Sequence, residues 1–336
     1  MLPEGPGALL YDGQMAVFSG IQPTGPMHLG NYLGALKQWV SMQDAESLYC
    51  VVDLHGLTVD SDPALRREWS LDAMASLLAA GLDPSVGPVF LQSRVRYHAQ
   101  LNWLLECVTS FGELGRMTQF KDKSERQASV RVGLFTYPVL MAGDVLLYNT
   151  TQVPVGEDQR QHLELTRELA IRFNNRYGET FVVPDAVLPS VGARVMDLQE
   201  PTRKMSKSVP SPLGTLYLLD EPAEIERKVM KAVTDTDGEM RYDPSAKPGL
   251  ANLLEIFAAL SEETPTRVAA RFARYGELKK ELAARLIATL EPIAARYREL
   301  RAEEGEIERV IEAGAAAAAA IAGPVYERAA RNIGLL

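Results

Sequence analysis

The sequence predicts an α/β protein: a doubly wound parallel sheet followed by an all-helical C-terminal part. Three observations carry this. Short apolar runs of strand length alternate with helix-length amphipathic stretches from Met15 to Phe111, the rhythm of parallel strands joined by crossover helices. After Ser208 the rhythm changes to helical segments punctuated by prolines. The first apolar run ends in the turn Gln22-Pro23-Thr24-Gly25 at a strand's carboxyl end, where open parallel sheets bind ligands.

Each element has its own signal. Met15 to Ile21 is the first strand, and Asn31 to Trp39 a helix with Tyr32, Leu33, Leu36 and Trp39 at helical spacing. Leu48 to Leu54 reads as a second strand ending at His55, followed by a helix from Leu65 to Ala80. Val86 to Leu91 is the third strand, and Tyr97 to Phe111 a helix. Beyond Ser208, the segments Ala223 to Val233, Gly249 to Leu260, Pro265 to Phe272 and Tyr275 to Leu300 are helical, with Pro222, Pro265 and Pro292 as punctuation. Glu303 to Ala322 holds the run Ala315 to Ala320, which alanine's helix preference makes a packed helix. A domain boundary falls near residues 205 to 215.

A chain of 336 residues fits two domains. Hydrophobic content of 46% with 24% charged residues describes an ordinary globular protein, and no apolar run has the length to span a bilayer. Met1 to Gln14 lacks a cationic segment followed by an apolar core, so no secretory signal is read there. A cytoplasmic protein without membrane attachment is expected. Cys50 and Cys107 stand far apart, which excludes a disulfide framework or sulfur-ligated cluster; both lie in apolar stretches and are expected in the core.

The net charge of −9 is the wrong sign for indiscriminate nucleic-acid binding. Basic residues are nevertheless local: Lys121, Lys123 and Arg126; Arg203, Lys204 and Lys207; Arg227, Lys228 and Lys231. Such groups are either a phosphate-facing surface or solvated helix faces.

Two motifs carry chemistry. Pro23-Thr24-Gly25-Pro26-Met27-His28-Leu29-Gly30-Asn31 follows the first strand, and Lys204-Met205-Ser206-Lys207-Ser208 comes after the middle of the chain. Glycines let backbone approach a nucleotide, and His28 offers an imidazole toward phosphates. Two ammonium groups on a mobile loop can close on a phosphate as charge develops. A helix cap with an incidental histidine, and a lysine- and serine-rich surface loop, are the bland alternatives. Together, in this order, the motifs resemble the paired ATP site of class I aminoacyl-tRNA synthetases. Asn31, where most of that class has histidine, resembles the tryptophanyl branch rather than the tyrosyl one.

The resemblance to the tryptophanyl-tRNA synthetase family of bacterial type then runs from about Phe18 through the C-terminal helices. It is carried by Phe18 to Gly25, Val52-Asp53-Leu54-His55, Met117 to Ser124, Tyr137 to Asp144, Val153 to Gln159 with Gln161-His162, and Lys231 to Asp235. It implies a Rossmann-like catalytic domain at 1–205, a helical anticodon-binding domain at 206–300, and C-terminal helices at 301–336 packing back on the catalytic domain. It implies ATP contacts at Gln22, Pro23, Thr24, Gly30, Asn31, Gly156, Glu157, Asp158, Val195, Lys204, Met205, Ser206, Lys207 and Ser208. His28, Lys123, Lys204 and Lys207 would serve the phosphates. Tyr137 and Gln159 would hold the α-amino group of L-tryptophan and Asp144 its indole N–H, with Met141 and Phe18 lining the ring pocket. No protein-held metal is implied, but ATP would be used with Mg²⁺.

The residues themselves agree with that placement. Tyr137, Met141 and Asp144 are spaced four and three apart, so a helix puts them on one face. A phenol, a thioether and a carboxylate suit a flat aromatic substrate with one donor, although Asp144 in its apolar flank could equally serve a structural hydrogen bond. The reaction implied is tryptophan activation to tryptophanyl-adenylate, then transfer to the terminal adenosine of tRNA(Trp), by a homodimer. A tyrosyl homologue is the near alternative, disfavoured by Asn31 and Gly156 to Gln159. A tryptophan-binding paralogue that does not charge tRNA is the distant one. Gly143 departs from the family, where alanine is commoner.

Overall fold

The computed structural model describes residues 17–124, 130–154, 156, 159–187, 194–207 and 211–336. Among them, β1 (Val17–Ile21), β2 (Ser47–Val51), β3 (Val89–Leu91), β4 (Gln152–Pro154) and β5 (Asp185–Val187) form one parallel sheet in the order β3-β2-β1-β4-β5. The chain winds outward from β1 through β2 to β3, then returns to the far side of β1 for β4. The direction of winding therefore reverses between β1 and β4, which opens a crevice at their carboxyl ends. This is the doubly wound sheet that the sequence predicts.

Helices cover both faces. After β1 the chain runs through α1 (Leu29–Asn31), a π-helical turn at Tyr32–Leu36 and α2 (Lys37–Met42) as one helical stretch. Next come α3 (Asp53–Gly56), α4 (Pro63–Ala79), α5 (Tyr97–Glu106), α6 (Phe111–Gly115), α7 (Thr118–Ser124), α8 (Val132–Leu146) and α9 (Arg160–Tyr177). The C-terminal part is α10 (Pro222–Met230), α11 (Pro248–Ser261), α12 (Pro265–Ala269), α13 (Tyr275–Ala302) and α14 (Glu304–Asn332). Of the predicted punctuation, Pro222 and Pro265 stand at helix starts, Pro265 after Thr264, whose side chain accepts from Arg267 N, whereas Pro292 lies inside α13 and ends nothing.

Every residue of β2 is buried, as a strand covered on both faces requires. Its side chains alternate between two cores. Leu48 and Cys50 join Phe18, Phe90, Leu101 and Val139 on one face; Tyr49 and Val51 join Leu33, Leu77, Leu253 and Phe257 on the other. Helix α14 belongs to both, through Ile307 and Ile311 in one core and Ala315, Ala318 and Ala322 in the other. It packs along the edge strand β3, so the sheet's open edge is covered there. Gly314 permits that approach, because a Cβ there would meet Val89 O at 2.1 Å.

Three expectations need correction. The second strand stops at Val51, since Asp53–Gly56 turns helical and Leu54 N donates to Gln92 Oε1 (3.1 Å). The helix from Tyr97 ends at Glu106; Ser110 and Glu113 form a capping box that starts a new helix at Phe111. Cys107 is exposed, whereas Cys50 is buried as expected.

Candidate active site

The turn after β1 needs glycine at Gly25, whose φ of +112° lies in the left-handed region. Gln22 Nε2 donates to His55 O (2.9 Å), fixing the start of the turn. Asn31 reaches back, its Oδ1 accepting from His28 N (3.0 Å), so the residue that departs from most of the class fastens the start of the helix. The His28 ring lies over Gly30, where a Cβ would come within 3.0 Å of it. Val195 is buried on the same side of Gly30, and Pro23 lies against Gly56.

The lysine loop is joined to this turn through the backbone. Met205 N donates to Val195 O (3.0 Å) and Asp197 N to Arg203 O (2.8 Å), making a small hairpin anchored by buried Met205. Ser206 O accepts from Thr215 Oγ1 (2.8 Å). The segment just beyond pairs antiparallel with the turn: Leu29 N donates to Leu216 O (2.8 Å) and Leu218 N to Met27 O (3.0 Å). Lys207 Nζ then donates to Gly25 O (2.8 Å) across a cavity of about 360 Å³ lined by Thr24, Gly25, His28 and Asn31.

Charge in this cavity is asymmetric. Burial, with Lys207 and Lys204 nearby, brings the His28 pKa down to about 4, so its ring is neutral at pH 7. Burial alone lowers Lys207 to about 8. A neutral imidazole beside a desolvated ammonium is a receptive environment for an anion, since no counter-charge has to be displaced.

A second cavity, of about 490 Å³, opens at the crevice between β1 and β4. It takes Phe18 from β1, Val153 and Gly156 from β4 and the turn after it, and Tyr137, Met141 and Asp144 from one face of α8. Gln159, His55 and Lys204 also line it. The two cavities share Ile21, Gln22 and Asn31. Asp144 is buried at the apolar end and accepts from Gln92 Nε2 (2.6 Å), His98 Nδ1 (2.7 Å) and His55 Nε2 (2.7 Å). Burial pushes its carboxyl up, but the bonds from His55 and His98 outweigh this and hold it below the ordinary value. Toward the mouth, Tyr137 Oη lies 3.0 Å from His162 Nε2, and His162 Nδ1 lies 2.8 Å from Gln159 Oε1.

The structure thus brings Gln22, Pro23, Thr24, His28, Gly30, Asn31, Val195, Met205, Ser206 and Lys207 around the turn. It places Phe18, Tyr137, Met141, Asp144, Gly156, Gln159 and Lys204 around the deep cavity. Glu157, Asp158 and Ser208 lie outside the described residues, as does the side chain of Lys123. Gln92 and His98 were not singled out by the sequence. Their signal is a polar residue among apolar ones: His98 shares a helix face with Leu101 and Leu105, and a histidine buried there needs a partner.

Of the basic group at α10, Arg227 and Lys231 are exposed, but Lys228 is withdrawn from that surface. The Lys228 side chain is 4% exposed and donates to Asp220 Oδ2 (2.6 Å), and Arg227 is forked on Glu224 (2.8 and 2.6 Å). Carboxylates beside these residues already compensate both charges.

A sequence model of the family described as tRNA synthetases class I (W and Y) matches residues 11–291, so the chain belongs to that family. Within it, the likeness is to tryptophan–tRNA ligases. Tryptophan–tRNA ligase 1 of Streptomyces coelicolor is 52% identical over 326 residues, which are 95% of this chain and 97% of the relative. The crystal structure of tryptophanyl-tRNA synthetase from Mycoplasma pneumoniae superposes with a TM-score of 0.88 at 35% identity, covering 96% of this chain and 98% of that one. The Campylobacter jejuni tryptophanyl-tRNA synthetase, in complex with ADP and tryptophan, gives a TM-score of 0.82 at 33% identity, covering 96% and 100%.

Proposed function

We infer that this chain is a tryptophan–tRNA ligase that activates L-tryptophan with ATP and transfers it to the 3′-terminal adenosine of tRNA(Trp). The observation that carries the reading is the continuity of the two cavities through Ile21, Gln22 and Asn31. One ends in a buried acceptor carboxylate among apolar walls; the other ends under the Lys207 ammonium. An aromatic amino acid and a nucleoside triphosphate placed in them would meet at the shared residues.

Activation needs no general base, because the attacking tryptophan carboxylate is already anionic. The work is alignment and charge stabilisation. Asp144 would accept the indole N–H while Phe18 and Met141 bound the ring. Tyr137 and Gln159, linked through His162, would take the α-amino group. Gly25, Gly30 and Asn31 shape the nucleotide turn, and His28, Lys204 and Lys207 would meet the phosphates, together with Lys123 and the segment 156–158. Mg²⁺ would arrive on the ATP phosphates. The helical part from α10 to α13 would read the anticodon. No helix among the described residues is long and apolar enough to cross a membrane.

A homodimer is supported by an exposed apolar surface. Phe111 is 81% and Val132 75% exposed, Phe111 packs on Phe135 (centroids 4.8 Å apart), and Phe135 on Phe120 (4.9 Å). Phe111→Glu should convert a dimer into a monomer in sedimentation velocity; an unchanged dimer moves the interface elsewhere. The function itself is tested by pyrophosphate exchange across all twenty amino acids, followed by tRNA charging. Exchange with tryptophan alone is expected, and exchange with tyrosine instead would overturn the reading.

A further inference from the structure

Asp144 is backed by a chain of side chains that reaches no solvent. His98, fully buried on α5, sets Nδ1 2.7 Å from Asp144 Oδ1 and Nε2 2.8 Å from the Tyr148 hydroxyl. With a neutral imidazole, the protons on this chain have one consistent arrangement. An ionised carboxylate only accepts, so His98 donates through Nδ1. A neutral imidazole then accepts at Nε2, and the Tyr148 O–H donates to it. Tyr148 is buried too, and stacks on Phe18, a wall of the deep cavity, with centroids 5.5 Å apart and planes 11° apart.

The acceptor count on Asp144 gives this chain a consequence. Oδ1 accepts from both Gln92 and His98, while Oδ2 accepts from His55. A carboxylate oxygen has two lone pairs, so one direction at Oδ2 is left for a ligand. We propose that Tyr148 and His98 are positioning residues for substrate selection: Tyr148 anchors the His98 ring at Nε2, and the ring in turn holds Asp144 through Nδ1–H with that lone pair toward the cavity, so that recognition depends on the indole N–H. This rests on reading the cavity as the tryptophan site. Without the Tyr148 hydroxyl, the His98 ring loses the partner that fixes its orientation at Nε2. Its Nδ1–H bond to Oδ1 would then slacken, and the carboxylate could turn toward other donors. A bare acceptor rejects a ligand that brings no donor, whereas a carboxylate turned away does not.

The test compares two substrates in pyrophosphate exchange: tryptophan, and benzothienylalanine, in which sulfur replaces the indole N–H. In the wild-type chain, kcat/KM should favour tryptophan strongly. Tyr148→Phe should reduce that preference by roughly tenfold, mainly through KM for tryptophan, with KM for ATP unchanged. His98→Asn keeps a donor near the Nδ1 position and should retain more of the preference than His98→Leu. An equal loss with both substrates makes the pair structural and overturns the inference, as does an unaltered preference in Tyr148→Phe and His98→Leu. A wild-type chain that does not exchange with tryptophan removes the underlying reading, and the inference with it.

Discussion

Lys207 donates to the carbonyl of Gly25, a partner that leaves its charge uncompensated, and burial holds its pKa at about 8. The protonated form is the one that can meet a phosphate. In the free enzyme its population falls as pH rises through about 8, so kcat/KM for ATP should show an alkaline limb there. Lys207→Arg should move that limb upward, because a guanidinium keeps its proton. Lys207→Ala should depress kcat for exchange far more than it raises KM for tryptophan. A limb that stays in place in the arginine variant would assign it to another group. His28 behaves oppositely: with its pKa near 4, it is neutral throughout this range and contributes hydrogen bonding rather than a second cation.

At the scale of elements, two glycines that look alike in sequence have opposite roles. A Cβ at Gly143 on α8 would meet nothing nearer than Asn102 N at 3.6 Å, an ordinary contact. Gly143→Ala should therefore stabilise the protein by about 0.5–1 kcal/mol, through helix propensity and a less disordered unfolded chain. At Gly314 the same atom would sit 2.1 Å from Val89 O, so α14 must lift from β3. Gly314→Ala should cost roughly 1–3 kcal/mol or more. Denaturant midpoints decide both, and a neutral Gly314→Ala would remove the close packing of α14 on β3. The contrast marks where sequence stops being legible. Tyr137, Met141 and Asp144 could be grouped in advance because one helix fixes their spacing. His55, Gln92 and His98 meet at Asp144 only because α3, the turn after β3 and α5 deliver them to one point, and no local pattern encodes that meeting. The cluster Arg227, Lys228 and Lys231 shows the converse. Its spacing was readable, but Asp220, eight residues before Lys228, takes that charge into the interior.

Across the whole molecule, the helical part and the lysine loop are joined at Asn252. Its Nδ2 donates to Met196 O (2.9 Å) and its Oδ1 accepts from Met196 N (2.9 Å), a two-bond grip by α11 on the hairpin strand that pairs with Lys204. The same helix is fixed at its start, where buried Lys247 donates to Asp235 (3.0 Å) and Tyr275 Oη, at the start of α13, donates to Asp235 as well (2.6 Å). A displacement of the helices would thus be transmitted to the loop proposed to meet ATP. Asn252→Ala should leave both Met196 backbone groups without their side-chain partner, at a cost of about 1–3 kcal/mol, and loosen the hairpin. The expected kinetic signature is that of Lys207→Ala: kcat for pyrophosphate exchange falls while KM for tryptophan holds, because, Lys204 apart, the deep cavity is lined by other elements. Exchange at the wild-type rate with tRNA charging lost would show instead that Asn252 supports only the helical part and that the loop is positioned without it.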